Sequence, residues 1–159
     1  MMMQAKREAH LAPHDRKELA NINRNPITAH DLVKLRREWL NDDVVNAYCR
    51  LVTDREAAKG NKIAVVPTSF WVTYSQRGWK AVARWPKRAG CGPGDMEKCT
   101  RVFMPVNPGS HWFFGCINVR QRRFEVYDSL NNRNVLTSHR RVYEVRFVLF
   151  FLCRLISHA

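Results

Sequence analysis

At 159 residues and 45% hydrophobic, the chain is long enough for one domain with a real core and too short for two comfortable ones. Its longest apolar stretch, residues 147–153, spans seven residues, far short of the roughly 20 needed to cross a bilayer, and residues 1–26 lack the apolar segment of a secretory signal. The net charge of +13 invites a nucleic-acid reading, but the cations are scattered along the chain with no zinc-finger or RNP-type pattern, so a general attraction to acidic partners is expected, with nucleic acid unlikely and no membrane partner.

Residues 1–26 read as a disordered basic tail, with a transient helix around residues 14–20, and ordered structure is expected from Ile27 onward. Thr28 and Asp31 have the spacing of a capping-box variant ahead of a short helix through Leu35. Asn41 can cap the next helix, expected over residues 42–56, because its side-chain oxygen can accept from the first turn. Asp42 and Asp43 set negative charge at that helix's positive end. Val44, Val45, Tyr48, Leu51 and Val52 mark its apolar face, and Leu40 with Val45 has the spacing of a hydrophobic staple. Residues 70–74 suit either strand or helix. Residues 78–85 read as a short helix stopped by Pro86, and 89–98 as a glycine-rich loop. Strands follow over 101–106, 112–119 and 124–127, joined by a basic turn. Residues 147–156 are apolar nearly all round and must be buried somewhere.

His111 and Asp128 stand 17 residues apart at opposite ends of one expected hairpin. A histidine oriented by a carboxylate is two-thirds of a nucleophilic triad. If Val119 pairs with Phe124, both side chains fall on one face, but about 13 Å of strand separates them at ~3.3 Å per residue. Only a longer turn or a bulge would bring them together. The plain alternative is a surface histidine and a turn-initiating aspartate. Trp112 beside the histidine, and Trp39 ahead of the helix cap, could wall a narrow cleft or simply pack in the core. The five cysteines include no CxxC pair, so neither a zinc site nor a disulfide framework is supported, and a reducing compartment, nucleus or cytoplasm, fits. No metal and no cofactor are expected.

Four blocks then fall into an order: Trp39-Leu40-Asn41-Asp42-Asp43-Val44-Val45-Asn46; the run from Gly78 to Trp85; Pro105-Val106-Asn107 with His111-Trp112; and Tyr127-Asp128-Ser129. In this order the chain resembles the ubiquitin-like-protein-specific (Ulp, sentrin-specific) cysteine proteases over residues 27–130. The resemblance implies an α+β, papain-like (adenovirus-protease-like) fold with a small, mostly antiparallel sheet flanked by helices. It implies His111 as general base and Asp128 as the residue that orients it. Trp39 and Trp112 would clamp the diglycine tail of a modifier, and Asp42 would face the modifier surface. The implied reaction is cleavage after a C-terminal Gly-Gly, maturing a SUMO-like precursor or releasing the modifier from its conjugates.

The nucleophile is the departure. In that family a glutamine and then a cysteine in an Asp-Cys-Gly context follow the aspartate. Here Cys153 sits in an apolar run with no following glycine, and Gln76 and Gln121 precede Asp128. A catalytic thiol needs a depressed pKa, which an apolar run opposes. Cys49 and Cys116 read as packing residues. Residues 27–159 are therefore expected to be a partial catalytic domain, with a divergent apolar tail from residue 131, that ends before its nucleophile and is inactive. A non-catalytic module binding a ubiquitin-like protein is the alternative. Without the nucleophile-bearing helix, one sheet face is expected to lack its cover unless residues 147–156 dock there.

Overall fold

The structure, a computed structural model, describes residues 16–22, 25–37, 39–91, 95, 98–107, 109 and 111–130, in two compact units divided after Asp54. The segment 147–156 and Cys153 lie outside the described residues.

The first unit begins earlier than Ile27. Strand β1 (Glu18–Asn21) pairs antiparallel with β2 (Pro26–Thr28), with Ala20 opposite Ile27. The expected transient helix around residues 14–20 gives way to a strand because a partner ladder lies only a few residues downstream. Ile22 and Asn25 close the connection through reciprocal backbone hydrogen bonds of 3.0 and 3.2 Å. Helix α1 (Ala29–Arg37) opens on the foreseen capping box: the Thr28 amide donates to Asp31 Oδ2 at 2.9 Å and the Asp31 amide to Thr28 Oγ1 at 3.3 Å. Burial raises the Asp31 pKa, but the hydrogen bonds from Thr28 and Asn41 outweigh it and hold the carboxyl below its usual range.

Helix α2 (Asp42–Ala58) starts where its cap directs. The Val44 amide donates to Asn41 Oδ1 at 3.0 Å, and the Asn41 amide nitrogen Nδ2 donates to Asp31 Oδ1, so one side chain ties the starts of both helices. The apolar face differs from expectation. Val45, Ala47 and Cys49 are buried, whereas Tyr48 and Leu51 stay 63% and 53% exposed. Val45, Cys49 and Val52 define the inward stripe at helical spacing; Tyr48 and Leu51 lie roughly a quarter-turn away from it.

In the second unit, β3 (Ile63–Val65) runs parallel to β4 (Arg101–Val106), which pairs antiparallel with β5 (Phe113–Asn118), which in turn pairs antiparallel with β6 (Arg123–Tyr127). Helices α3 (Ser69–Arg77), α4 (Trp79–Val82) and α5 (Trp85–Arg88) connect β3 to β4. Residues 70–74 are thus helical. Pro86 does not stop a helix but sits in the first turn of α5, where its missing N–H leaves no bond unmade.

The face carrying Ala64, Val102, Met104, Val106, Phe113 and Ile117 packs with Phe70, Val82, Cys91 and Cys99 into one core. Phe70 is fully buried and lies edge-on to Trp85, ring centroids 5.9 Å apart. Gly115 is needed here: a Cβ would come within 2.9 Å of the Phe124 ring that crosses it.

The opposite face is closed at its centre, with Pro105, Cys116 and Asn118 buried, and its polar focus is Glu125. That carboxylate accepts from Tyr127 Oη at 2.6 Å, Asn118 Nδ2 at 2.9 Å and Arg123 Nε at 2.7 Å, which together hold its pKa at about 2. A depressed carboxylate stabilises the fold above its unfolded value of 4.5 and loses that contribution as pH falls toward about 2. Glu125→Gln is therefore expected to lower stability by on the order of 1 kcal/mol at neutral pH, after allowance for solvent screening. It should also flatten the acid-side decline between pH 4.5 and about 2 in urea titrations. An unchanged acid-side slope would show that Glu125 is not the group responsible.

Candidate active site

The histidine–aspartate pair forms. His111 Nε2 lies 2.6 Å from Asp128 Oδ1, with the side chains 15% and 2% exposed. The register that allows this is two residues tighter than expected. Asn118, not Val119, stands near the turn, opposite Arg123, so Phe114 faces Tyr127 and Asp128 falls opposite Phe113. His111 is then the diagonal neighbour of Asp128 on the same face, a distance that two side chains can bridge.

The turn explains the register. Arg122 adopts a positive φ of 49°, its amide donates to Val119 O at 3.3 Å, and Asn118 Oδ1 accepts from the Gln121 amide at 3.1 Å. Gln121 is spent on this turn, since its Oε1 also accepts from Asn118 Nδ2 at 3.0 Å. On the β4–β5 side, Asn107 Oδ1 accepts from the Gly109 amide at 2.8 Å, and Gly109 takes a φ of 142° that favours glycine. These two turns bring the start of β5 and the end of β6 to the same sheet edge.

The electrostatics assign the imidazole nitrogens. Asp128 Oδ1 also accepts from the Leu130 amide at 2.9 Å, which steadies the carboxylate. An ionised carboxylate only accepts, so Nε2 carries the proton and Nδ1 keeps its lone pair. The pair can therefore take a proton at Nδ1 and share the resulting positive charge with Asp128.

The remaining site candidates fall in separate places. Trp112 is half-buried beside His111, just ahead of β5. Trp39 belongs to the first unit, just ahead of the α2 cap, and is 67% exposed. Asp42 is the first residue of α2; partial desolvation and then the neighbouring Asp43 carboxylate raise its pKa.

Among the described residues, all four cysteines are buried and none is joined in a disulfide. Burial pushes the Cys49 and Cys116 thiols up to about 11, and it pushes Cys91 up further, helped by its hydrogen bond with Cys99. Neutral, enclosed thiols of this kind are poor nucleophiles. Among the described residues no cluster of three or more histidine, cysteine or acidic side chains could hold a metal ion.

Comparison with known proteins agrees with this geometry. Residues 38–148 match the model of the Ulp1 protease family, C-terminal catalytic domain. The chain is 31% identical over 124 residues to ubiquitin-like-specific protease 1 of Saccharomyces cerevisiae, covering 77% of this chain and 19% of that protein. It is 33% identical over 98 residues to a sentrin-specific protease of Caenorhabditis elegans, covering 60% of this chain and 13% of that one. Among solved structures, the C-terminal Ulp1 protease domain in complex with Smt3, the yeast ortholog of SUMO, superposes with a TM-score of 0.65 at 26% identity, covering 82% of this chain and 56% of that domain. The Chaetomium thermophilum Ulp1-like SUMO protease catalytic domain shares the fold, with a TM-score of 0.72 at 19% identity, over 93% of this chain and 62% of the other.

Proposed function

The chain belongs to the Ulp1 protease family, whose C-terminal catalytic domain it matches over residues 38–148, and from that premise we propose that it carries the acid–base half of a thiol-peptidase site for ubiquitin-like modifiers. The supporting observation is the 2.6 Å contact between His111 Nε2 and Asp128 Oδ1, held by two turns that converge on one sheet edge. Asp128 fixes the tautomer. His111 Nδ1 takes the proton of an attacking thiol and returns it to the departing amine. Trp112, directly beside His111, serves as a wall for the Gly-Gly tail, where an indole face accepts glycyl backbone without a side chain to clash, and Trp39 is the second tryptophan that the family resemblance assigns to that tail. Asp42 faces the body of the modifier. The partner is a SUMO-like protein or its conjugate.

We also propose that this 159-residue polypeptide, taken alone, binds such a tail without cutting it. The support is the state of the thiols: those described are buried, and Cys153 lies in the run Phe150-Phe151-Leu152-Cys153, with no following glycine.

The test is incubation of the polypeptide with a SUMO precursor extended beyond its Gly-Gly, alongside a binding titration with mature SUMO and with ubiquitin. No cleavage, with saturable binding of SUMO that His111→Ala leaves in place, is the expected result. Cleavage abolished by Cys153→Ala would identify Cys153 as reactive. Cleavage that survives that change would mean one of the buried thiols becomes exposed, and either result overturns the inactive reading. Absence of binding to both modifiers would overturn the recognition role.

A further inference from the structure

The stretch between Glu56 and Asp95 contains no carboxylate, yet it carries Lys59, Lys62, Arg77, Lys80, Arg84, Lys87 and Arg88. The last five fall within residues 77–88, interleaved with tryptophans and alanines. The fold gathers them. Ala83 and Arg84, between α4 and α5, both keep right-handed helical backbone angles, and the amides of Arg88 and Ala89 donate to Arg84 O and Trp85 O at 3.2 and 3.0 Å. The short helices α4 and α5 therefore follow one another with right-handed backbone between them. Val82 and Pro86 are buried along their inner side, and Trp85 leans on Phe70. Lys80, Arg84 and Lys87, at spacings of four and three, fall on the outer side with Arg88 next to them, and Arg77 stands just before, at the end of α3.

All five side chains are exposed, and among the described residues none meets a carboxylate. Like charges three and four apart on a helical face repel, a local cost that a bound anion relieves. From Lys80 to Arg88 the ridge runs about 12 Å at ~1.5 Å per residue, long enough to follow several phosphates of one strand. The surface between the cations is Ala81 and Ala83, both exposed and small. An acidic peptide gains affinity chiefly by seating large side chains in pockets, whereas the residues between these cations are small and exposed. A phosphodiester backbone needs only regularly placed positive charge and close approach.

We propose that this ridge, formed by Arg77, Lys80, Arg84, Lys87 and Arg88, is a sequence-independent binding surface for the phosphate backbone of a nucleic acid. It is independent of the peptidase reading, because none of these residues belongs to the His111–Asp128 site.

Fluorescence polarisation with a labelled oligonucleotide, single-stranded and duplex, between about 50 and 200 mM salt, tests it with the full chain. Replacing Lys80, Arg84, Lys87 and Arg88 together by Gln should reduce affinity by about tenfold or more at the low-salt end and flatten the log–log salt slope by about three units. The Arg84→Gln/Lys87→Gln pair should give about half that flattening, and circular dichroism checks that each variant is folded. Neutralising Arg120 and Arg122, in the β5–β6 turn, should change affinity less than about twofold. Three results would overturn the proposal: no binding by the unaltered chain at low salt, equal binding by the quadruple variant, or tighter binding of a polyglutamate peptide of matched charge.

Discussion

Trp112→Ala is expected to weaken binding of a modifier ending in Gly-Gly by about 30-fold to several hundred-fold, the loss of 2–4 kcal/mol typical of a buried aromatic anchor. Trp112 follows His111 directly, just ahead of β5, and is half-buried, so part of its indole is accessible beside the imidazole. A glycyl backbone lying along such a ring gains contact area without a side chain to clash. A modifier truncated before its Gly-Gly supplies the control. It should bind the unaltered chain as weakly as the full modifier binds the variant, and Trp112→Ala should cost it little more, so that the cycle isolates the tail–indole contact. Equal affinity losses for full and truncated modifiers would show that Trp112 supports the fold and does not hold the tail.

Phe70→Ala should be the most destabilising single substitution in the second unit, costing about 3–5 kcal/mol of unfolding free energy. Phe70 is 0% exposed. Its ring stacks against Tyr74 at 6.4 Å and meets Trp85 edge-on at 5.9 Å, so truncation loses aromatic contacts as well as transfer free energy and leaves a cavity beneath α3. With a typical domain stability of about 5–15 kcal/mol, such a loss takes a large share of the whole. In urea the midpoint should fall with the slope unchanged, and Phe70→Leu should recover most of the loss. A shift below about 1 kcal/mol would mean that the core closes over the gap, and that α3 is less firmly seated than its burial indicates.

The parts of this chain that were legible in advance share a physical character. The Thr28–Asp31 capping box and the Asn41 cap each act within four residues, so the side chain and its target are fixed by chain connectivity alone. The three long strands announced themselves as short apolar runs bounded by turn residues, and the observed β4, β5 and β6 lie within a residue of expectation. Strand β3 was not foreseen. Its three residues are too few to show a period, and its parallel partner Arg101–Phe103 lies far along the chain. The exposure of Tyr48 and Leu51 likewise depends on which stripe of α2 meets other elements, which an apolar count along one helix does not reveal.

From residue order alone came the family kinship, the α+β class, the caps, and the fact that His111 and Asp128 share a face, because strand side chains alternate with a period of two. Whether the imidazole reaches the carboxylate was decided in three dimensions. Arg122's positive φ and the Asn118 side chain set the turn, the turn set the register, and a shift of two residues turned a long lengthwise gap into a 2.6 Å contact. The same holds for the thiols and the cations. Enclosure, which no local pattern encodes, raises the pKa of Cys49, Cys91 and Cys116, and the succession of α4 and α5 lines up charges that are interleaved with tryptophans and alanines in the sequence. Local hydrogen bonding and periodicity are properties of neighbouring residues; register, burial and the meeting of distant side chains belong to the folded whole.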